Sequence, residues 1–90
     1  MTQPHPQFSI DRLPQVKAAT GYPRATLYAK IKAGLFVRPV AIGARAVGWP
    51  AHEVAAMNAA RICGKTDDEI RALVARLEAD RKALVPGGGQ

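Results

Sequence analysis

Acidic side chains are nearly missing from the first half of this chain. Residues 1–50 hold one carboxylate, Asp11, against seven bases: Arg12, Lys17, Arg24, Lys30, Lys32, Arg38 and Arg45. Residues 51–90 are balanced, with Arg61, Lys65, Arg71, Arg76, Arg81 and Lys82 facing Glu53, Asp67, Asp68, Glu69, Glu78 and Asp80. The formal charge of +6 on these 90 residues therefore belongs to the first half. Base scattered evenly would serve solubility; base confined to one small segment makes a surface for a polyanion.

Other shortages exclude whole classes. The single cysteine, Cys63, rules out an internal disulfide and suits a reducing cytoplasm. No apolar run approaches the roughly 18 residues of a membrane span. The start, Met1 to Gln7, lacks the basic stretch and apolar run of a secretion signal. His5 and His52 have no Cys or His at ligand spacing, so no metal is expected. There is no P-loop, Rossmann glycine pattern or Ser/His/Asp order, so neither a catalytic residue nor a cofactor is expected. Cys63 reads as a small buried hydrophobe at a helix end.

What is present is a folding composition, 48% apolar, in a length that makes one domain with a marginal core. The expected organisation is a flexible arm over 1–9, a DNA-binding domain over 10–63, an amphipathic helix within 64–85 and a Gly-rich tail over 86–90. An extended segment at Ile10-Asp11-Arg12 precedes a first helix from Leu13 to Ala19, with Pro14 in its first turn. Thr20-Gly21-Tyr22-Pro23 is a tight turn in which Gly21 permits a positive φ. A second helix runs from Arg24 to Ala33 with Leu27 and Ile31 inward. Gly34 ends it, and Leu35 and Phe36 follow as apolar anchors. From Arg38 to Pro50 the period changes to two, Val40 and Ile42 on one side of Gly43-Ala44 and Val47 and Trp49 on the other, which predicts a β-hairpin. A third helix covers Ala51 to Ile62, with Glu53 in its first turn and Val54, Met57 and the stem of Arg61 inward. Thr66-x-x-Glu69 is a capping box opening a helix to about Leu84, whose last turns carry Arg81 and Lys82 towards the negative end of the dipole.

Two short helices joined by a Gly/Pro turn and followed by a hairpin make a winged helix-turn-helix: mainly α, with a small hairpin and a C-terminal helix. A second helix of about ten residues is roughly 15 Å long, and a major groove about 12 Å wide accepts it. With Leu27 and Ile31 inward, Ala25, Ala29, Ala33, Thr26 and Lys32 turn outward, flanked by Arg24, Tyr28 and Lys30. Arg24 and Thr26 are the candidate base readers, while Tyr28, Lys30 and Lys32 suit phosphates. Tyr28 has a second reading, as core. Lys17, Tyr22 and Arg38 complete the expected contact set, and Arg45 at the hairpin tip is suited to a minor groove. Trp49 reads as a core anchor.

The run Arg12-Leu13-Pro14-Gln15-Val16, Thr20-Gly21-Tyr22-Pro23-Arg24-Ala25-Thr26-Leu27-Tyr28, Ile31-Lys32-Ala33-Gly34-Leu35-Phe36, Pro39-Val40-Ala41-Ile42-Gly43, Arg45-Ala46-Val47-Gly48-Trp49 and Glu53-Val54 resembles the AlpA family. These are small regulators of phages and mobile elements with a MerR-like winged-helix domain. The resemblance covers about residues 10–62. It implies an excisionase-like protein, a recombination directionality factor or a transcriptional regulator, acting on attachment-site or promoter DNA in the bacterial cytoplasm at the nucleoid, beside a site-specific integrase. By the same resemblance the recognition helix is Arg24 to Ala33, with Arg24, Thr26 and Tyr28 as matching polar positions, and the wing is Val40 to Trp49 with Arg45. Position 25 departs from the family, having Ala where Ser is frequent. The helix over 66–84 extends beyond the usual core.

That extension carries the stripe Ile70, Leu73, Val74, Leu77 and Leu84. Packing back on the core, bridging two copies as a coiled coil, and docking on a neighbouring copy (head-to-tail on DNA) or on an integrase are its three readings. Truncation after Gly64 is expected to leave monomer binding and to abolish cooperative occupancy. A protein-interaction adaptor whose basic half meets an acidic partner is the alternative of another class.

Overall fold

The computed structural model describes residues 8–84. His5, most of the 1–9 arm and the 86–90 tail lie outside the described residues. The chain forms β1 (Ile10–Asp11), α1 (Leu13–Thr20), α2 (Arg24–Lys32), β2 (Val40–Ala41), β3 (Val47–Pro50), α3 (Ala51–Ile62) and α4 (Asp67–Asp80), with a closing 3-10 turn at Arg81–Ala83. This is the mainly helical winged helix-turn-helix expected from the sequence.

Local chemistry explains each boundary. Pro14 sits in the first turn of α1, where a missing N–H costs nothing. The Arg12 backbone N–H donates to Gln15 Oε1 at 2.6 Å, satisfying one group at that helix start. Gly21 ends α1 at φ 78°, a conformation that glycine adopts without a Cβ penalty. At the start of α4, Glu69 N–H donates to Thr66 Oγ1 at 3.2 Å and Thr66 N–H donates to Glu69 Oε1 at 2.8 Å. That is the reciprocal cap read from the sequence.

The sheet has three strands in the order β1-β3-β2, all antiparallel. The extended segment before α1 is thus an edge strand: Ile10 faces Pro50 and Asp11 faces Trp49. Ser9 continues it, its carbonyl accepting from Ala51 N–H at 2.8 Å. On the other edge Val40 faces Gly48 and Ala41 faces Val47, and Ile42 N–H bonds Ala46 O at 2.9 Å to close the wing. β1 crosses β3 closely at Gly48, where a Cβ would overlap the side chain of Ile10 and press the Asp11 carbonyl at 3.1 Å. A side chain at that position requires Ile10 to shift.

One core joins all layers: Val16, Leu27, Leu35, Phe36, Val37, Trp49, Val54, Met57, Ala60, Ile70 and Val74 are buried together. Trp49 is fully buried, and its indole N–H donates to Val37 O at 3.2 Å, tying the wing to the segment after α2. Asn58 Nδ2 donates to Ala19 O at 2.9 Å, fixing α3 under α1.

α4 belongs to this same core. Ile70 and Val74 are buried within the chain, and Leu73 and Leu77 pack against them. Back-packing is therefore the arrangement α4 adopts, and the region up to Gly64 shares its core with the helix that follows. The helix also stops sooner than expected, at Asp80, and tightens into a 3-10 turn. Arg81 does not serve the C-terminal dipole; it turns inward to the carboxylate of Glu53. Glu53 in turn is more than a first-turn acid, being 0% exposed. Cys63 is exposed rather than buried, because the last core position of α3 is Ala60 and the chain leaves the core beyond it.

Candidate nucleic-acid interface

α2 is presented by a rigid turn. Thr20 Oγ1 donates to Val16 O at 2.8 Å and accepts from Tyr22 N–H at 3.2 Å, and Leu27 N–H reaches Pro23 O at 2.9 Å. Leu27 is buried and Ile31 half-buried against the core. The opposite face, Ala25, Ala29, Lys32 and Ala33, is exposed together with Arg24, while Thr26, Tyr28 and Lys30 are half-buried. Alanines at the centre of this face let the backbone approach a surface closely.

The structure groups the expected contact residues in three sets. Arg24, Ala25 and Tyr28 line one hollow, the Arg24 guanidinium lying 5.3 Å from the centroid of the Tyr28 ring. Tyr22 and Lys30 form a second set, Nζ lying 5.7 Å from the ring centroid. Lys32 and Arg38 border a third hollow with Gly34, Phe36 and Glu78. Lys17 on α1 and Arg45 at the wing tip are exposed and stand apart from these sets. Both readings of Tyr28 have a counterpart here: its ring packs edge-on to Trp49 at 6.2 Å and also walls the outer hollow.

Charge is sorted across the molecule. The ion pairs among the described residues are Arg38–Glu78 (3.0 Å), Arg61–Asp67 (3.7 Å), Arg71–Asp68 (3.5 Å) and Arg81–Glu53 (2.6 Å). All four acids lie in α3 and α4. Lys17, Arg24, Lys30, Lys32 and Arg45 meet no carboxylate among the described residues, so no acid neutralises their charge there. Arg38 is the exception in the basic half: its side chain is 72% exposed, yet its backbone N–H and guanidinium both hold Glu78. Burial alone would push the Glu78 carboxyl up, but the two Arg38 donors and the charges of Arg38 and Arg81 bring it below its ordinary value. Hydrogen bonding to Glu53 raises the Arg81 guanidinium, against the opposing effect of its burial.

Several supporting residues escaped the sequence reading. Arg71 donates from Nε to Ala33 O at 3.1 Å, gripping the C-terminal end of α2 from α4. Arg81 bonds Arg38 O at 2.7 Å as well as Glu53. The signal for Arg81 was its spacing: it falls four residues after Leu77 on the apolar stripe, where a cation requires a buried acid. Nothing in the sequence marked Arg71. Among the described residues no group of three His, Cys, Asp or Glu side chains is placed to hold a metal, and no helix is long and apolar enough to cross a membrane.

A helix-turn-helix with a three-stranded wing, its alanine-surfaced second helix exposed, defines a winged-helix module of the kind that meets duplex DNA. The chain belongs to the AlpA family, whose members are phage-associated DNA-binding regulators: the family model described as prophage CP4-57 regulatory protein (AlpA) matches residues 10–61. The chain is also similar to the uncharacterized protein ORF88 of Enterobacteria phage P4, 39% identical over 54 residues, covering 60% of this chain and 61% of that protein. It thus spans under two thirds of the length of that curated relative. No solved structure matches the chain.

Proposed function

We propose that this protein is a double-stranded DNA-binding excisionase, a recombination directionality factor of a prophage or integrative element. It binds near an attachment site in the bacterial cytoplasm, bends or coats the duplex, and biases a site-specific integrase towards excision. It makes and breaks no bond; it contributes binding energy and DNA geometry, with bending costing about 1–6 kcal/mol offset by added contacts. The observation that carries this is the set of charges that meet no carboxylate among the described residues, on Lys17, Arg24, Lys30, Lys32 and Arg45, around an α2 face surfaced with alanine. Arg24 and Thr26 read bases, Tyr22, Lys30 and Lys32 hold phosphates, Tyr28 lies on the same contact face, and Arg45 enters a minor groove.

Occupancy of adjacent sites is cooperative. With Ile70 and Val74 enclosed in the chain's own core, the contact between neighbouring copies falls to Leu73, Leu77 and Leu84. The deciding experiment measures excision in cells supplied with the integrase, with and without this protein. Excised product should rise when the protein is present. Unchanged excision alongside a responding promoter reporter would make it a transcriptional regulator without a recombination role, the reading favoured by the words "regulatory protein" in the family description.

A further inference from the structure

The hollow at the start of α2 has a chemistry that phosphate contacts do not use. Its lining is the Ala25 methyl, the Tyr28 ring and the Arg24 side chain. The ring is a fixed wall, since Tyr28 packs edge-on against the fully buried Trp49, and Trp49 is itself held by its hydrogen bond to Val37 O. The Arg24 guanidinium lies over that ring, 5.3 Å from its centroid. So one shallow, outward-open apolar depression lies beside one planar donor. Phosphate oxygens gain nothing from an apolar floor. The one apolar group that a base edge offers in a major groove is the thymine C5 methyl, and a planar guanidinium matches guanine O6 and N7.

We propose, on the footing of the duplex-binding reading above, that Arg24, Ala25 and Tyr28 form a subsite for a thymine beside a guanine. The thymine methyl seats against Ala25 and the Tyr28 ring, and Arg24 bonds the neighbouring guanine. Ala25 is then a specificity-determining residue: its single methyl leaves the thymine methyl a seat beside the Tyr28 ring, and a branched side chain would occupy that seat. Thr26 is half-buried and does not line this hollow.

The test begins with selection of preferred duplexes from a random pool using the full chain. Each thymine of the selected site is then replaced singly by deoxyuracil, which removes only the methyl. One thymine per bound copy, next to a guanine, should lose about fourfold in affinity on replacement, the ratio expected for one buried methyl group. Ala25→Val, an exposed position where the fold is safe, should bind thymine and uracil versions of that duplex equally. Uniform affinity across all uracil replacements, or a selected site with no fixed thymine, overturns the subsite and leaves duplex binding standing. Discrimination retained in Ala25→Val also overturns it, since the methyl then sits elsewhere. Failure of the wild-type chain to bind any duplex removes both the subsite and the reading beneath it.

Discussion

Arg81 closes on Glu53 from 28 residues further along the chain, Nε and Nη2 reaching the two carboxylate oxygens at 2.9 and 2.6 Å. Glu53 is fully enclosed and Arg81 is largely so, its side chain 20% exposed. The same guanidinium bonds Arg38 O, and Arg38 grips Glu78. One connected set of charges therefore fastens α4 to the start of α3 and to the base of the wing.

Breaking that pair from one side leaves a buried charge without a partner. Arg81→Ala should lower unfolding free energy by about 3–5 kcal/mol, whereas replacing both partners, Glu53→Leu with Arg81→Met, should recover most of it. Urea unfolding of the two variants checks this. An Arg81→Ala loss no larger than that of a surface ion pair would show that the enclosure of Glu53 has been misjudged.

Truncation after Gly64 should unfold the domain. It removes Ile70 and Val74, each contributing about 1.5–3 kcal/mol by burial, and takes away the partner of Glu53. Circular dichroism of the 1–64 fragment should show lost helix and no cooperative melt. A fragment that folds and binds DNA would show that α4 is dispensable to the core.

Gly48→Ala should cost about 1–3 kcal/mol, as overpacking does, because β1 lies over that position. Thermal melts measure it. The effect should shrink when Ile10 is shortened in the same chain, Ile10→Ala, since its side chain is the obstacle.

Acid should loosen the fold in a defined window. Glu78 and Glu69 both titrate below their ordinary value in the folded chain; the Thr66 backbone N–H is the main cause at Glu69. The unfolded chain then binds protons first as pH falls, so the stabilisation is complete above the ordinary carboxylate value and is lost as pH drops through the lowered folded values. Urea midpoints followed down from neutral pH should fall through the carboxylate range, and Glu78→Gln should flatten part of that slope.

On DNA, Lys30→Ala and Lys32→Ala should weaken selected and random duplexes alike, each reducing the salt slope by about 0.9. Arg24→Ala and Thr26→Ala should cost about 1–3 kcal/mol on the selected duplex and less on random DNA. Arg45→Ala should shorten the footprint on the wing side. Equal losses for Arg24 and Thr26 on both duplexes would mark them as phosphate contacts.

Much of this architecture was already decided by short-range chemistry. The glycine turn at Gly21, the proline start of α1, the Thr66–Glu69 cap and the period change at the wing each depend on residues within a few positions of one another. Backbone preference and side-chain period act locally, so the helices, the hairpin and the outward face of α2 follow from the chain order alone. The excess of base in the first half is likewise a property of sequence.

Tertiary packing decided what distance along the chain conceals. The partner of β1, the enclosure of Glu53 by Arg81, the grip of Arg71 on Ala33 and the capture of Arg38 by Glu78 join residues 28 to 40 positions apart. The stripe on α4 specified an apolar face, but an apolar face has no address. Only the shape of the core, with room for Ile70 and Val74 beside α3, assigned that face to the chain's own interior, because burial is non-directional and goes wherever complementary surface is available.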